Sequence, residues 1–260
     1  MLIDTHCHLT YPGLMEQQAA VVQRAQEADV KKIITIGTHP GDHAGALKAG
    51  SRFAAVFVAL GIHPHHAHEV GEDFSDLLHK QLRSSEKIVA VGECGLDYHG
   101  NSAPEVLQKK VFIAQLELAK SLNLPVILHV RDAHQDTLDI IKKFPELRFV
   151  VHCFSGSPQE CRQWIDLGAY IGFTGILTYK NAPGVREACK LVPENRLLVE
   201  TDAPYLSPQP VRKIKINEPA FVTHVAAQIA AERGCNVAYV ASITSQNAGE
   251  LFGAKLLGPI

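Results

Sequence analysis

A closed α/β barrel of the TIM type, (β/α)8, is the fold class that the sequence predicts. Strand and helix signals alternate about eight times along the 260 residues, and such alternation is typical of a parallel sheet covered by helices. An open doubly wound sheet is the alternative. Its dinucleotide-binding form needs a G-x-G-x-x-G loop after an early strand, and the sequence contains none. No linker, low-complexity tract or domain-sized repeat divides the chain, so we expect one domain over residues 1–260.

Eight strands are predicted where short apolar runs stand between turn signals. Several of these runs are rich in β-branched residues, which favour extended backbone, as in KIITIG at residues 32–37. The first run, MLI, leads into the polar segment DTHCHL at residues 4–9, which we interpret as the end of the first strand. The other predicted strands cover residues 32–37, 54–62, 87–92, 125–129, 148–153, 169–173 and 197–202.

Helices are predicted between these strands. Residues 14–30 have helical periodicity, which places Val21, Val22 and Ala25 on one side. The segment SAPE at residues 102–105 has the spacing of a capping box with a proline near the helix start, so a helix is expected from there to about residue 123. The other predicted helices cover residues 73–85, 132–144, 158–167, 183–191, 219–233 and 237–252.

Composition limits the class of protein. A hydrophobic share of 46% with 20% charged residues is ordinary for a soluble globular protein. No apolar run is long enough to span a bilayer, and no secretory signal is present at the N-terminus. The six cysteines are scattered through apolar segments, which indicates a reducing compartment, and we expect the cytoplasm. The formal net charge of -2 gives no general attraction to polyanions, so a nucleic-acid substrate would need local positive charge.

Charged and imidazole side chains stand at the ends of six predicted strands. His6 and His8 lie two positions apart in an extended segment, so both point to one face. The carboxyl ends of all strands meet at one face of a barrel, and buried polar groups there are costly unless they are paired or bind metal. These ends therefore predict one functional site. The candidate side chains are His6, His8, His63, Glu93, His129, Arg131, His152, Glu200 and Asp202.

Four segments resemble one known family when they are taken together and in this order. The segments are DTHCH at residues 4–8, GECGLD at 92–97, HCFSG at 152–156 and ETDAPYL at 200–206. They are similar to the motifs of the TatD family of metal-dependent deoxyribonucleases, which belongs to the amidohydrolase-like barrels. The resemblance covers nearly the whole chain.

The resemblance implies a site for two divalent metal ions. It places His6, His8 and Asp202 on one ion, His129 and His152 on the other, and Glu93 between them. These nitrogen and oxygen donors suit Zn²⁺, Mn²⁺ or Mg²⁺. Asp202 could also accept a proton from the attacking water, and is the predicted catalytic residue.

The predicted activity is hydrolysis of DNA phosphodiester bonds by a metal-activated water. DNA is the expected partner, without a membrane or an obligate protein partner. His63 and Arg131 are the predicted substrate contacts. One alternative is an amide or ester hydrolase of the same fold, such as a D-aminoacyl-tRNA deacylase, since fold and metal site are shared across chemistries. Another is a non-catalytic metal-binding interaction protein, against which a full ligand set with an available base argues.

Several neighbouring residues have two interpretations. Strand alternation turns Cys7, Cys94 and Cys153 outward, which favours packing over metal binding. The loop histidines at residues 65, 66 and 68 are expected to be solvated. Arg131 could form a surface ion pair instead of binding phosphate, and Glu200 could orient a metal ligand or satisfy a buried contact. The basic run RKIK at residues 212–215 could be a solvated face or could guide a nucleic-acid backbone.

Overall fold

A barrel of eight parallel strands, surrounded by helices, forms the fold in the computed structural model, which describes residues 1–258. The strands follow one another around the sheet in sequence order, and all seven of the pairs between consecutive strands are parallel. The predicted TIM-barrel class is confirmed. Residues 259–260 of the predicted domain lie outside the described residues. The strands are β1 (Leu2–Cys7), β2 (Val30–Gly37), β3 (Val56–Leu60), β4 (Ile88–Asp97), β5 (Val126–Arg131), β6 (Phe149–Val151), β7 (Tyr170–Phe173) and β8 (Leu197–Val199).

The barrel closes where the last strand meets the first. Cys7 pairs with Ala203 in a parallel bridge just beyond the end of β8. The Asp202 amide donates to the carbonyl of His6 at 2.9 Å, and the His8 amide donates to the carbonyl of Ala203 at 2.7 Å. These bonds bring the DTHCH and ETDAPYL segments side by side, although nearly 200 residues separate them in the sequence.

Nine α-helices cover the outside and one end of the barrel within residues 1–258. None of the helices in this range has the length and apolar character needed to cross a membrane. The helices are α1 (Gln18–Glu27), α2 (Pro40–Arg52), α3 (Phe74–Leu82), α4 (Glu105–Leu122), α5 (His134–Ile141), α6 (Pro158–Asp166), α7 (Pro183–Leu191), α8 (Val222–Arg233) and α9 (Val237–Phe252).

Two separate apolar layers hold the barrel together. Residues that alternate along the strands, such as Val56 and Val58, pack outward against the helices. Their neighbours Phe57 and Ala59 belong to the interior layer, which also includes Leu251 and Phe252 of α9. Helix α9 therefore contributes apolar side chains to the filling of the barrel, and the polar site is confined to the carboxyl ends of the strands.

Helix α2 was not predicted, and its glycines explain why. Gly41, Gly45 and Gly50 lower intrinsic helix propensity by about 1 kcal/mol each relative to alanine. The helix is instead started by a capping arrangement. The His39 ring accepts the Gly41 amide hydrogen at 3.0 Å, and Asp42 accepts the His39 amide hydrogen at 3.2 Å.

The capping box predicted at Ser102 is wrong. Ser102 has helical dihedral angles and continues a short 3₁₀ turn, so it cannot act as an extended N-cap. Helix α4 begins at Glu105 after Pro104, and no side chain caps it. A capping box does occur at α6, where Ser157 and Glu160 bond reciprocally.

Strand β4 is longer than predicted. The sequence indicated an end near residue 92, but the strand continues to Asp97. Gly92 and Gly95 both have positive φ, and the register with β5 shifts between Val91 and Cys94. A side chain at Gly95 would lie 2.0 Å from the carbonyl oxygen of His129, so glycine is required there. The extension carries Asp97 into the site.

Candidate metal centre

The six side chains predicted as metal ligands lie together at the carboxyl ends of the strands. Five of them line a cavity of about 600 Å³, and His6 is fully buried beside them. The walls of the cavity come from the carboxyl ends of all eight strands and the segments that follow them, as expected for this fold. The six side chains are His6, His8, Glu93, His129, His152 and Asp202.

His6, His8 and Asp202 form one corner of the centre. The Nε2 atoms of the two histidines are 3.3 Å apart, and Asp202 Oδ1 lies 3.3 Å from His8 Nε2 and 3.7 Å from His6 Nε2. Two ligands about 2.1 Å from one ion are separated by about 3.0–3.4 Å in tetrahedral or octahedral geometry. The corner thus has the spacing of a coordination shell. Asp202 has a positive φ of 57°, which turns its side chain toward the two histidines.

Glu93 directs its two carboxylate oxygens to different histidines. Oε2 lies 3.4 Å from His6 Nε2, and Oε1 accepts a hydrogen bond from His129 Nδ1 at 2.7 Å. The carboxyl is almost fully buried, which favours its neutral form. The charges of His152 and His6 outweigh that effect and hold the pKa of Glu93 well below its usual range. An ionised carboxylate with one oxygen on each side can bridge two cations.

His152 is held between two carboxylates and a neighbouring ring. Its Nδ1 donates to Glu200 Oε1 at 2.8 Å, and its Nε2 lies 3.6 Å from Glu93 Oε1 and 3.7 Å from Asp202 Oδ1. The ring stacks on His6 with a centroid distance of 3.4 Å. Burial opposes protonation of His152, but the nearby Glu200 and Glu93 raise its pKa to about 10.

Glu200 occupies a buried position behind His152. Besides the histidine, Oε1 accepts the Cys153 amide hydrogen at 2.5 Å, and Oε2 lies 3.3 Å from the Thr5 hydroxyl. A Cβ at Gly172 would lie 2.6 Å from this carboxylate, so a glycine in β7 makes room for it. The geometry supports the interpretation that Glu200 orients a metal ligand.

Asp97 is the main site residue that sequence reasoning missed. Its Oδ2 accepts hydrogen bonds from His129 Nε2 at 2.9 Å and from His65 Nε2 at 2.8 Å. Burial opposes protonation of His129, but the bonds to Asp97 and Glu93 raise its pKa to about 9. His65 is therefore held by a carboxylate, while 39% of its side chain remains exposed to solvent as expected for the loop. The signal that could have found Asp97 was present, since it ends the GECGLD segment.

The donor set fits divalent metal ions. The residues that could hold an ion form three overlapping groups within residues 1–258, and all their ligand atoms are imidazole nitrogens or carboxylate oxygens. The buried Nδ1 atoms of His6 and His8 have no hydrogen-bond partner there. The Nε2 atoms of these rings face the other ligand atoms, so a metal ion would bind at Nε2 and the Nδ1 atoms would carry the ring protons. The three groups are His6, His8 and Glu93; His6, His152 and Asp202; and His63, Glu93 and His129.

The two predicted substrate contacts occupy different parts of the cavity. His63 lies deep in it, with Nε2 3.8 Å from Glu93 Oε1, and is as close to the centre as some predicted ligands. Burial and the neighbouring His129 hold the pKa of His63 well below its usual range, so the ring is neutral. Arg131 lies at the rim, is exposed, and forms no ion pair within residues 1–258. The surface ion pair considered for it is absent there.

Two of the three cysteines next to the predicted ligands face away from the cavity, and the third lines it. Cys7 and Cys94 are fully buried in the outer apolar layer, as the alternation predicted. Cys153 lines the cavity, so the predicted outward direction is wrong. Strand β6 has ended at Val151, and Cys153 has a positive φ of 49° that breaks the alternation.

The basic run at residues 212–215 does not line the cavity. Its Arg212 guanidinium is stacked on the ring of Tyr179, 3.9 Å from the ring centroid.

An aromatic pair that the sequence analysis left without a role forms one wall of the cavity. Tyr205 is 50% exposed and meets Tyr11 edge-to-face, with ring centroids 5.9 Å apart. Tyr11 in turn lies 4.8 Å from the ring of His8. Tyr205 therefore presents an exposed ring surface next to the candidate ligands.

Comparison with known proteins finds relatives that match nearly the whole chain. The family model described as TatD related DNase matches residues 3–253. The chain is 39% identical over 254 residues to a Bacillus subtilis strain 168 protein named "Uncharacterized metal-dependent hydrolase YabD", which covers 97% of this chain and 99% of that protein. It is 37% identical over 259 residues to "3'-5' ssDNA/RNA exonuclease TatD" of Pantoea ananatis strain LMG 20103. The match covers 97% of this chain and 99% of that protein.

A solved structure gives the same result. YjjV, a TatD homologue from Escherichia coli K12, superposes with a TM-score of 0.92 at 34% identity, over 96% of this chain and 97% of that one. The resemblance predicted from the four motifs is confirmed. Because the family model matches nearly its whole length, the chain belongs to the family of TatD-related DNases.

Proposed function

We propose that this protein is a metal-dependent hydrolase that cleaves DNA phosphodiester bonds at a site for two divalent ions. The observation that carries the proposal is the position of the Glu93 carboxylate between two groups of histidines. One of its oxygens faces His6, and the other faces His129. The names of the relatives add support, since one is a metal-dependent hydrolase and another a single-stranded DNA and RNA exonuclease.

The ligands divide into two sets around Glu93. His6, His8 and Asp202 would hold one ion, and His129 and His152 the other, with Zn²⁺, Mn²⁺ or Mg²⁺ as candidates. Divalent ions supply positive charge that polarises a phosphoryl group and acidifies water. Glu200 and Asp97 orient His152 and His129 from behind, and such outer partners tune ligand basicity.

Asp202 is the proposed proton acceptor. Its Oδ1 lies within the ligand cluster, and no hydrogen bond to Oδ2 occurs within residues 1–258. The side chain is 15% exposed, so water can reach it from the cavity. The nearby histidines, His8 first, outweigh the effect of burial and lower the pKa of Asp202, which keeps it ionised at neutral pH. An ionised carboxylate beside the reacting water can take its proton.

The rim of the cavity suits a nucleotide. Arg131 offers a guanidinium without a carboxylate partner in the described chain, and arginine binds phosphate through paired N–H donors. Tyr205 offers an exposed ring, and stacking on aromatic side chains is a common way to hold an unpaired base. Together they provide the local attraction that the net charge of -2 does not supply.

An amide or ester hydrolase of the same fold is the competing function. A simple carboxylic ester or amide carries no phosphate for Arg131 and no base for Tyr205, so these two residues favour a nucleic-acid substrate. An aminoacyl-tRNA would also meet both residues, and only the assay below separates its ester bond from the phosphodiester. We propose the cytoplasm as the location, because all six cysteines are free.

The test is hydrolysis by metal-reconstituted protein. Protein stripped with a chelator and reloaded with Zn²⁺, Mn²⁺ or Mg²⁺ is incubated with end-labelled single-stranded DNA and with a panel of amides and esters, including an aminoacyl-tRNA. The proposal expects DNA cleavage only with metal. Hydrolysis of an amide or ester with no cleavage of DNA would reject it.

A further inference from the structure

A second cavity of about 750 Å³ lies beside the candidate metal centre. It is formed mainly by the segments that follow β5 and β6. The two cavities share the wall residues Val130, Arg131 and Ser155, so they lie side by side. None of the predicted metal ligands lines this second cavity.

Arg131 stands at the boundary between the two cavities. It is two residues beyond His129 on β5, a distance of about 6.6 Å along a strand. That distance is of the same order as the span of one nucleotide in an extended single strand. Asp97 is its partner in the sheet register, but the Asp97 carboxylate is bound by His129 and His65 and not by Arg131. The guanidinium donors are therefore available at this boundary for a second phosphate of the same strand.

The second cavity does not suit a further phosphate. Asp132 and Glu160 both line it, and their carboxylates would repel an anion. The N-terminus of α6 offers no anion site there, because Glu160 already accepts the Ser157 amide and hydroxyl hydrogens at 2.6 and 2.9 Å. A neutral group rich in N–H and O–H donors fits such a lining. A nucleoside has these properties.

We propose that the second cavity binds the nucleoside next to the one held at the metal centre, while Arg131 binds the phosphate that joins them. This inference rests on the proposed phosphodiesterase function. The preferred substrate is then a strand with at least two phosphates: one at the metal centre and one at Arg131. A dinucleotide with a single internal phosphate reaches only the first cavity.

The experiment compares deoxyadenosine dinucleotide with deoxyadenosine trinucleotide as substrates of the metal-loaded enzyme, because adenine has an amino group that can donate to the carboxylates of the second cavity. The wild-type protein is expected to show a kcat/KM at least about tenfold higher for the trinucleotide, mostly through KM. Two variants should reduce this ratio toward one. Arg131→Ala removes the phosphate contact, and His99→Trp places a large ring on the wall of the second cavity, where His99 is 57% exposed.

His68→Trp is the matched control. His68 is also an exposed histidine near a carboxylate, but it lines neither cavity, so the ratio should remain that of the wild-type protein. Equal kcat/KM for the two substrates in the wild-type protein would reject the second site and leave the proposed function intact. An equal loss on both substrates in Arg131→Ala would also reject it, because Arg131 would then act at the scissile phosphate or on the fold. Absence of cleavage of either substrate would reject the proposed function itself.

Discussion

Glu200 accepts the Nδ1 hydrogen of His152 across 2.8 Å, and both side chains are almost completely buried. This bond fixes the ring so that Nε2 faces Glu93 and Asp202. A carboxylate partner of this kind would also make the imidazole a stronger ligand for the proposed metal ion.

Replacing Glu200 with glutamine tests this role. Glu200→Gln keeps the size and one acceptor oxygen but removes the charge, so metal affinity should fall by about 10–100-fold. Titration calorimetry of chelator-treated protein with Zn²⁺ or Mn²⁺ measures the effect. Glu187→Gln is the matched control, because Glu187 is exposed and is paired with Lys190. Unchanged affinity in Glu200→Gln would show that Glu200 only satisfies a buried contact.

Asp97→Asn should lower the affinity for one of the two proposed ions more than the affinity for the other. Asp97 accepts a hydrogen bond from His129, which we propose as a ligand of the second ion, and no hydrogen bond joins it to His6 or His8 within residues 1–258. We expect affinity for one ion to fall by about 10–100-fold while the other site stays near its wild-type affinity. The number of ions bound per protein, measured at a low free metal concentration, distinguishes a loss of affinity at one site from a loss at both. The exposed Asp139→Asn is the control, and equal weakening of both sites would contradict the assignment.

Removing the outward cysteines should leave the metal in place. Cys7 and Cys94 are fully buried among apolar residues, so Cys7→Ala and Cys94→Ala each lose roughly 1 kcal/mol of packing, which lowers Tm by about 2–4 °C. Cys153 lines the cavity, but no ligand group within residues 1–258 includes it, and Cys153→Ala should also keep full metal content. Elemental analysis of the purified variants checks this. Metal loss in any of them would make a thiol a ligand.

Tyr205→Ala should impair binding of DNA rather than the chemical step. Stacking of a base on an aromatic ring contributes about 1–3 kcal/mol, so KM for single-stranded DNA should rise roughly 5- to 150-fold with little change in kcat. Steady-state kinetics separates the two constants. Tyr239→Ala, an exposed tyrosine of α9, serves as the control. A large fall in kcat at unchanged KM would give Tyr205 a different role.

The barrel was predictable because each strand is a short apolar run and each gap but one has helical periodicity. The exception is α2, whose three glycines give its sequence a low helix propensity. The helix forms because its N-terminal cap and its packing stabilise it. Asp97 was missed because strand alternation was extended only to Glu93, whereas β4 passes through two positive-φ glycines before it ends. Cys153 was misplaced for a related reason: its own positive φ reverses the direction of its side chain. Local backbone irregularities of this kind arise from tertiary contacts and cannot be derived from periodicity.

The most direct test of the account is the Asp202→Asn variant, assayed for metal content and DNA hydrolysis together. Asparagine keeps the shape and one coordinating oxygen but cannot accept a proton at neutral pH. We expect a modest loss of bound metal and a fall in turnover of about 10²–10⁴-fold relative to metal-loaded wild-type protein. Near-normal turnover with full metal would contradict the account, since the proton of the attacking water would then have to pass to another group.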